Sequence, residues 1–219
     1  MKRSVYSLVL MDDVVKEIDK LAYSLNTSRS NLINQILAER VSFVTPEKRM
    51  KDIFSYVEEL IDNEFQINFS PSDTMMSIKS PLMYKYRPTI NYSVELFKNN
   101  KEMIGKLKVS FRTQSEKLID LLINFFEIWV SLENKYLKDF LGENTYFEMA
   151  QGKFIRNFHM PIEDKNQTTE KIGNAIGCYI KMLDDMIKIY FDNIDNINLA
   201  IDKMENAYIK YLKNGLIII

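Results

Sequence analysis

The sequence predicts an α+β protein, mostly α: a strand–helix–helix module at the N-terminus, then a helical domain with a small antiparallel sheet. Three observations carry this. Apolar periodicity switches from strand-like to helical at Met11-Asp12-Asp13, period-two stretches appear between about residues 74 and 112, and long helical repeats occupy most of the chain beyond residue 114.

In chain order, Ser4–Leu10 is β-branched, aromatic and apolar without Gly or Pro, which suits a short strand. Val14, Ile18, Leu21, Ala22 and Leu25 then share one face of a helix, with Asp12 and Asp13 in its first turn, where their charge suits the helix dipole. Asn26 follows the last periodic residue and can take the left-handed conformation that closes a helix. Ser28 is a good N-cap for a second helix, whose apolar face is Leu32, Ile33, Ile36 and Leu37. A unit of about forty residues buries too little surface to stand alone. Its strand also has two open edges. A dimer answers both, with two strands paired antiparallel and four helices around one core.

Thr45-Pro46-Glu47 breaks the second helix, because the residue before Pro is pushed out of the α region, and places a linker at about 42–48. The domains are set at 1–44 and 45–219. Lys48–Phe65 reads as a helix with Met50, Ile53, Phe54, Val57, Leu60 and Ile61 on one face. The stretch 66–114 holds Pro71, Pro81 and Pro88, and has β character at Thr74–Ile78, Thr89–Phe97 and Met103–Phe111. Ile90, Tyr92, Val94 and Leu96 alternate with Asn91, Ser93, Glu95 and Phe97; Leu107, Val109 and Phe111 alternate likewise. Asn99-Asn100 suits a hairpin turn between them, so a sheet of two to four strands is expected.

Ser115–Leu141 is a long helix, apolar nearly all round apart from Asp120, Asn124, Glu127 and Ser131, and is expected to be central or in an oligomer interface. Trp129, Phe125 and Phe126 are expected in its core. From Gly142 to about Gln167 the chain reads as irregular. Two helices, Thr168–Asp192 and Ile194–Leu212, close the fold; Gly173 and Gly177 permit close helix approach, and the apolar tail Leu216–Ile219 is expected to dock, as an added strand for instance.

The turn Asn26-Thr27-Ser28-Arg29-Ser30, followed by Leu32 and Ile33 and preceded by strand and helix, resembles the ribbon-helix-helix DNA-binding proteins of the MetJ/Arc/CopG type over residues 2–43. The resemblance implies a homodimer, or a tetramer on repeated half-sites, that lays its two-stranded ribbon in the major groove of double-stranded DNA. By that likeness Tyr6, Leu8 and Leu10 face the core, while Val5, Ser7 and Val9 face the bases, with Lys2 and Arg3 at the strand entrance. Thr27, Ser28, Arg29 and Ser30 form the turn at the start of the second helix, where amides, helix dipole and side chains hold a phosphate. This sequence departs from the family at Val5 and Val9, which offer only apolar contact, and at Met11, where the family often has a capping Ser or Thr.

Composition narrows the field further. The formal net charge is −1, yet residues 75–112 carry eight Lys and Arg against two Asp and Glu. With Tyr84, Tyr86 and Tyr92 interleaved, that basic stretch is either a solvated face or a contact for nucleic acid or an anionic ligand. No run of eighteen apolar residues suggests a membrane span, and no cleavage site follows Lys2-Arg3. Cys178 is the sole cysteine, consistent with a reducing cytoplasm. The abundance of Ile, Lys and Asn matches AT-rich coding and suggests a bacterial source.

No P-loop, dinucleotide fingerprint or His-Glu-x-x-His is present. One His and one Cys cannot build a tetrahedral zinc site within a chain, and no cofactor is implied. Cys178 falls beside an apolar helix stripe and reads as an inert thiol rather than a nucleophile paired with His159. The acidic pairs Asp184-Asp185 and Asp192/Asp195 read as solvated faces, so an enzyme is not expected. The expected function is a cytoplasmic transcriptional regulator, a repressor for instance, whose C-terminal domain oligomerises or senses an effector. The alternatives are a plasmid partition or conjugation accessory protein and an antitoxin-like protein-interaction module.

Overall fold

The computed structural model describes residues 5–61, 64–69, 74–85, 87–98, 103–141, 147–150, 152–160, 168–215 and 219. Lys2, Arg3, Asn99-Asn100, Tyr86 and most of the tail therefore lie outside the described residues. The chain divides into two compact units, Met1–Arg49 and Met50–Ile219.

In the first unit the expected strand is not formed within one chain: residues 5–11 carry no ladder, and the unit is helical from Asp12 onward. Antiparallel ladder bonds need a second strand, and a lone chain supplies none here. Helix α1 spans Asp12–Ser24 and ends in a Schellman motif. Asn26 takes φ 50°, the Asn26 amide donates to Tyr23 O and the Thr27 amide to Ala22 O. Helix α2, Arg29–Arg40, is capped by Ser28, whose side chain accepts from the Asn31 amide. It closes the same way, with Ser42 at φ 54° and the Phe43 amide bonded to Ala38 O. Helix α3 spans Pro46–Leu60, so it starts earlier than predicted and stops sooner. Pro46 opens that helix rather than separating it, because the first helical position has no use for an N–H, and Thr45 Oγ1 accepts from the Lys48 amide.

The second unit holds one six-stranded antiparallel sheet, larger than predicted: β1 Gln66–Phe69, β2 Met75–Pro81, β3 Thr89–Leu96, β4 Met103–Phe111, β5 Phe147–Ala150 and β6 Lys153–His159. Their order is β1-β2-β3-β4-β6-β5. The stretch read as irregular thus contains the β5–β6 hairpin. The expected alternation holds: Ile90, Tyr92, Val94 and Leu96 are buried, as are Leu107, Val109 and Phe111. Gly105 stands at a bulge in the pairing of β4 with β6, and on the β3 side a Cβ there would lie 2.2 Å from Glu95 O.

Helices α4 (Glu116–Leu141) and α5 (Thr169–Asp192) contact the buried face of the sheet. Phe126 stacks on Phe154, and Phe158 meets Tyr179 edge-on. Helix α6, Ile197–Lys213, starts three residues later than predicted, at the Asn196 cap, and packs its Tyr208 against Trp129 of α4. The central helix is α5 rather than α4. Asp120, Asn124, Glu127 and Ser131 line up as one exposed stripe on α4, whereas α5 is buried nearly all round. Ile219 is buried, so the end of the tail docks.

Gly173 and Gly177 let α3 lie directly on α5. A Cβ at Gly173 would sit 2.5 Å from Tyr56 Cβ and 2.7 Å from Ile53 O; one at Gly177 would sit 3.1 Å from Leu60 Cδ1. Gly173→Ala is therefore expected to lower unfolding stability by about 1–3 kcal/mol, since backbone must move, and Gly177→Ala by less. Urea midpoints of the two variants check this; equal midpoints would mean α3 yields without strain.

Candidate functional site

The turn Thr27–Ser30 stands at the N-terminus of α2. Ser28, Arg29 and Ser30 are exposed, and Thr27 is half-buried. The left-handed Asn26 turns the chain sharply enough for Ser28 to cap α2 two residues later. Arg29 does not reach outward: its guanidinium donates to both carboxylate oxygens of Asp19 on α1, each at 2.5 Å. That fork braces α1 against α2 at the surface and holds the Arg29 pKa above its usual value, through the hydrogen bond first and the charge second. The Ser28 hydroxyl already accepts from Asn31, so an anion here would meet the open amides of the first turn, with the dipole behind them.

Val5, Ser7 and Val9 are all exposed, and Val5 and Val9 fully so. The residues expected to face the core are graded instead, Tyr6 being 84% exposed, Leu8 60% and Leu10 40%. Exposure continues along the helices, where Val14, Leu21, Leu25, Ile36, Leu37 and Phe43 all present apolar surface. Only Ala22, Leu32 and Ala38 are buried among the apolar residues of α1 and α2.

The second unit contains two buried polar groups that the sequence reading missed. In one, the Arg156 Nε of β6 donates to Glu133 Oε2 of α4 at 3.2 Å, and Arg156 Nη1 donates to Ile219 O at 2.8 Å. The Tyr179 hydroxyl donates to the same Glu133 oxygen, and the Trp129 indole N–H donates to Tyr179. The guanidinium also lies 4.3 Å from the Tyr179 ring centroid. Burial pushes the Glu133 carboxyl up, against the opposing pull of Arg156 and Tyr179. Burial works against the Arg156 charge as well, but Glu133, Tyr179 and Tyr208 outweigh it and keep that pKa raised. Both side chains are closed to solvent, so the cluster fastens α4, α5, β6 and the tail.

In the other, Asp184 of α5 is buried and not solvated. It accepts from the Tyr92 hydroxyl at 2.7 Å and pairs with Lys188 at 2.9 Å. Burial first, then the Asp184 charge, pushes the Tyr92 pKa well up. A signal existed: Asp184 lies on the stripe of Ile180, Leu183 and Ile187. Asp185 beside it is exposed and accepts from Tyr211.

Cys178 is a half-buried free thiol on α5, while His159 is the last residue of β6. Among the described residues no group of three or more His, Cys, Asp or Glu could hold a metal, and no helix is long and apolar enough to cross a membrane. Comparison with protein families, curated proteins and solved structures returned no match for the chain.

Proposed function

We propose that this chain is a double-stranded DNA-binding regulator whose N-terminal unit acts as a ribbon-helix-helix homodimer. The observation that carries the reading is the first unit itself: two helices joined by the Asn26–Ser28 turn, preceded by a segment with neither helix nor ladder, with most of their apolar side chains at least partly exposed. A second copy covers them. Pairing residues 5–11 of two chains turns Leu8 and Leu10 toward the shared core and Val5, Ser7 and Val9 toward the groove, with the α2 N-termini on flanking phosphates. Half-sites then lie about one helical turn apart, and a tetramer forms on repeated sites. The second unit has its own core and serves oligomerisation or effector sensing.

A second reading, a protein-interaction module in the manner of an antitoxin, draws on the apolar Val5 and Val9 and on the engagement of Arg29 by Asp19. Sequencing of genomic fragments recovered with the full chain at about 150 mM salt separates the two. Enrichment of a few repeated sites near a promoter is the expected result, and a centromere-like array or transfer origin would make the protein a partition or conjugation factor. Failure to recover any DNA would sink the regulator reading. Arg3→Ala combined with Arg29→Ala is expected to weaken the recovered sites across the board, Arg3 by loss of a phosphate contact and Arg29 by loss of the Asp19 fork that braces the turn, and unchanged affinity would count against the assigned turn.

A further inference from the structure

The sheet of the second unit has a second face. Its apolar side meets α4 and α5, and every aromatic residue of β3, β4 and β6 points there: Tyr92, Phe111, Phe154 and Phe158. The alternate positions form the other side, and the strand register sets them in rows. One row runs Lys79–Asn91–Ser110–Lys153 across β2, β3, β4 and β6; the next runs Ser77–Ser93–Lys108–Ile155 across the same strands and ends at the exposed Glu148 on β5. Lys79 and Lys153 are exposed and Lys108 half-exposed. Lys106, also on this side, is spoken for by Glu95 at 2.9 Å, and Ser77 donates to Asn91 at 2.8 Å. Among the described residues no carboxylate pairs with Lys79, Lys108 or Lys153.

We infer that this open face is a second nucleic-acid surface, one that holds the phosphates of duplex DNA without reading sequence. Three features point to that occupant. Across β2, β3 and β4 the side chains in the rows are Lys, Ser and Asn, the types that donate to phosphate oxygens, and the carboxylate of Glu148 lies two strands away from Lys108. Three lysines lie within three strand spacings, about 14 Å, so one stretch of backbone meets them together. The face also lacks what other partners need. A protein interface is centred on aromatic or arginine anchors, and the rows contain neither. Single-stranded bases need aromatic platforms, and neither row contains one; Phe97, just past the end of β3, lies beside Lys106 on this side, with the ammonium 5.8 Å from its ring centroid. The inference goes beyond the ribbon reading and does not depend on it, because it rests on the second unit alone.

The test uses the full chain and a random-sequence duplex, with affinity measured from about 50 to 200 mM salt. Neutralising three phosphates contributes about −2.7 to the slope of log affinity against log salt. Lys79→Gln/Lys108→Gln/Lys153→Gln is therefore expected to reduce the salt-induced loss of affinity over that range by roughly 40-fold. The matching triple Lys→Arg variant is expected to keep the original slope, which separates lost charge from a damaged fold. An unchanged slope in the Gln variant overturns the inference, and so does absence of any duplex binding by the parent chain. Preference for single strands, or displacement only by polyglutamate, overturns it too, the latter by giving the face to an acidic protein. The N-terminal reading fails separately, through the Arg3/Arg29 variant and the genomic sites, so either can stand without the other.

Discussion

A chain carrying Leu10→Asp and Leu37→Asp is expected to be monomeric at concentrations where the parent is a dimer, and to lose DNA binding with it. Both side chains are about half exposed in the single chain, Leu10 40% and Leu37 52%, so the substitutions disturb less within one copy than at a buried position. In the proposed dimer each would be covered twice, once per protomer. Fully burying a leucine side chain is worth about 1.5–3 kcal/mol; with about half of each already covered, the four leucines, two per copy, together contribute about 3–6 kcal/mol to association. That is roughly two to four orders of magnitude in the dimer dissociation constant, before the charge of the aspartates is counted.

Sedimentation at graded concentrations measures the first effect and duplex binding the second. Tyr23→Asp is the control. Tyr23 is 89% exposed on α1 but lies off the stripe of Val14, Ile18, Leu21 and Leu25, and its replacement is expected to leave the dimer intact. A double variant that still dimerises and binds DNA would mean that these faces are not the interface.

What could be read from the sequence divides along physical lines. Helices α1 and α2 and their turn were legible because caps and periodicity are local, and Asn26 and Ser28 do what their chemistry suits them to do. Strands β3 and β4 were legible because a sheet with one buried face alternates strictly. Strands β1 and β5 have four residues each, too few for a period to declare itself. Strand β6 hid for a different reason. Its inward residues are Phe154, Arg156 and Phe158, and a buried arginine at the middle position erases the apolar alternation. The partner that makes this arginine tolerable, Glu133, lies 23 residues away on α4, and nothing local announces the pair. The sheet order, which sets β6 beside β4, appears only in the folded chain. The candidate site has the same limit. Residues 5–11 carry no ladder in one chain, and in the proposed ribbon every ladder bond would cross between two copies, a pairing that no local sequence pattern records.

The largest stability effect is expected at that hidden pair. Arg156→Met is expected to cost about 3–5 kcal/mol, because it leaves the Glu133 carboxylate buried without its counter-charge and strips Ile219 O of its donor. Met keeps most of the volume, so the loss is electrostatic rather than a cavity. Glu133→Gln/Arg156→Met removes both charges and is expected to recover much of the deficit, which a double-mutant cycle in urea measures directly. The pH dependence gives an independent check. Burial raises the Glu133 pKa in the fold, so between the ordinary carboxylate pKa and the raised one the native state binds more protons than the unfolded chain. Stability from this group is therefore highest at acid pH, falls as pH rises through that window, and is level above it. Arg156 pulls the same pKa down, so removing it widens the window upward. The deficit of Arg156→Met should then be smallest near about pH 5 and larger near about pH 8, while the doubly substituted chain should lack this trend. A deficit of equal size at both pH values would show that Glu133 does not carry its charge inside the fold, and that Arg156 acts there through its hydrogen bond to the tail and its packing on Tyr179 alone.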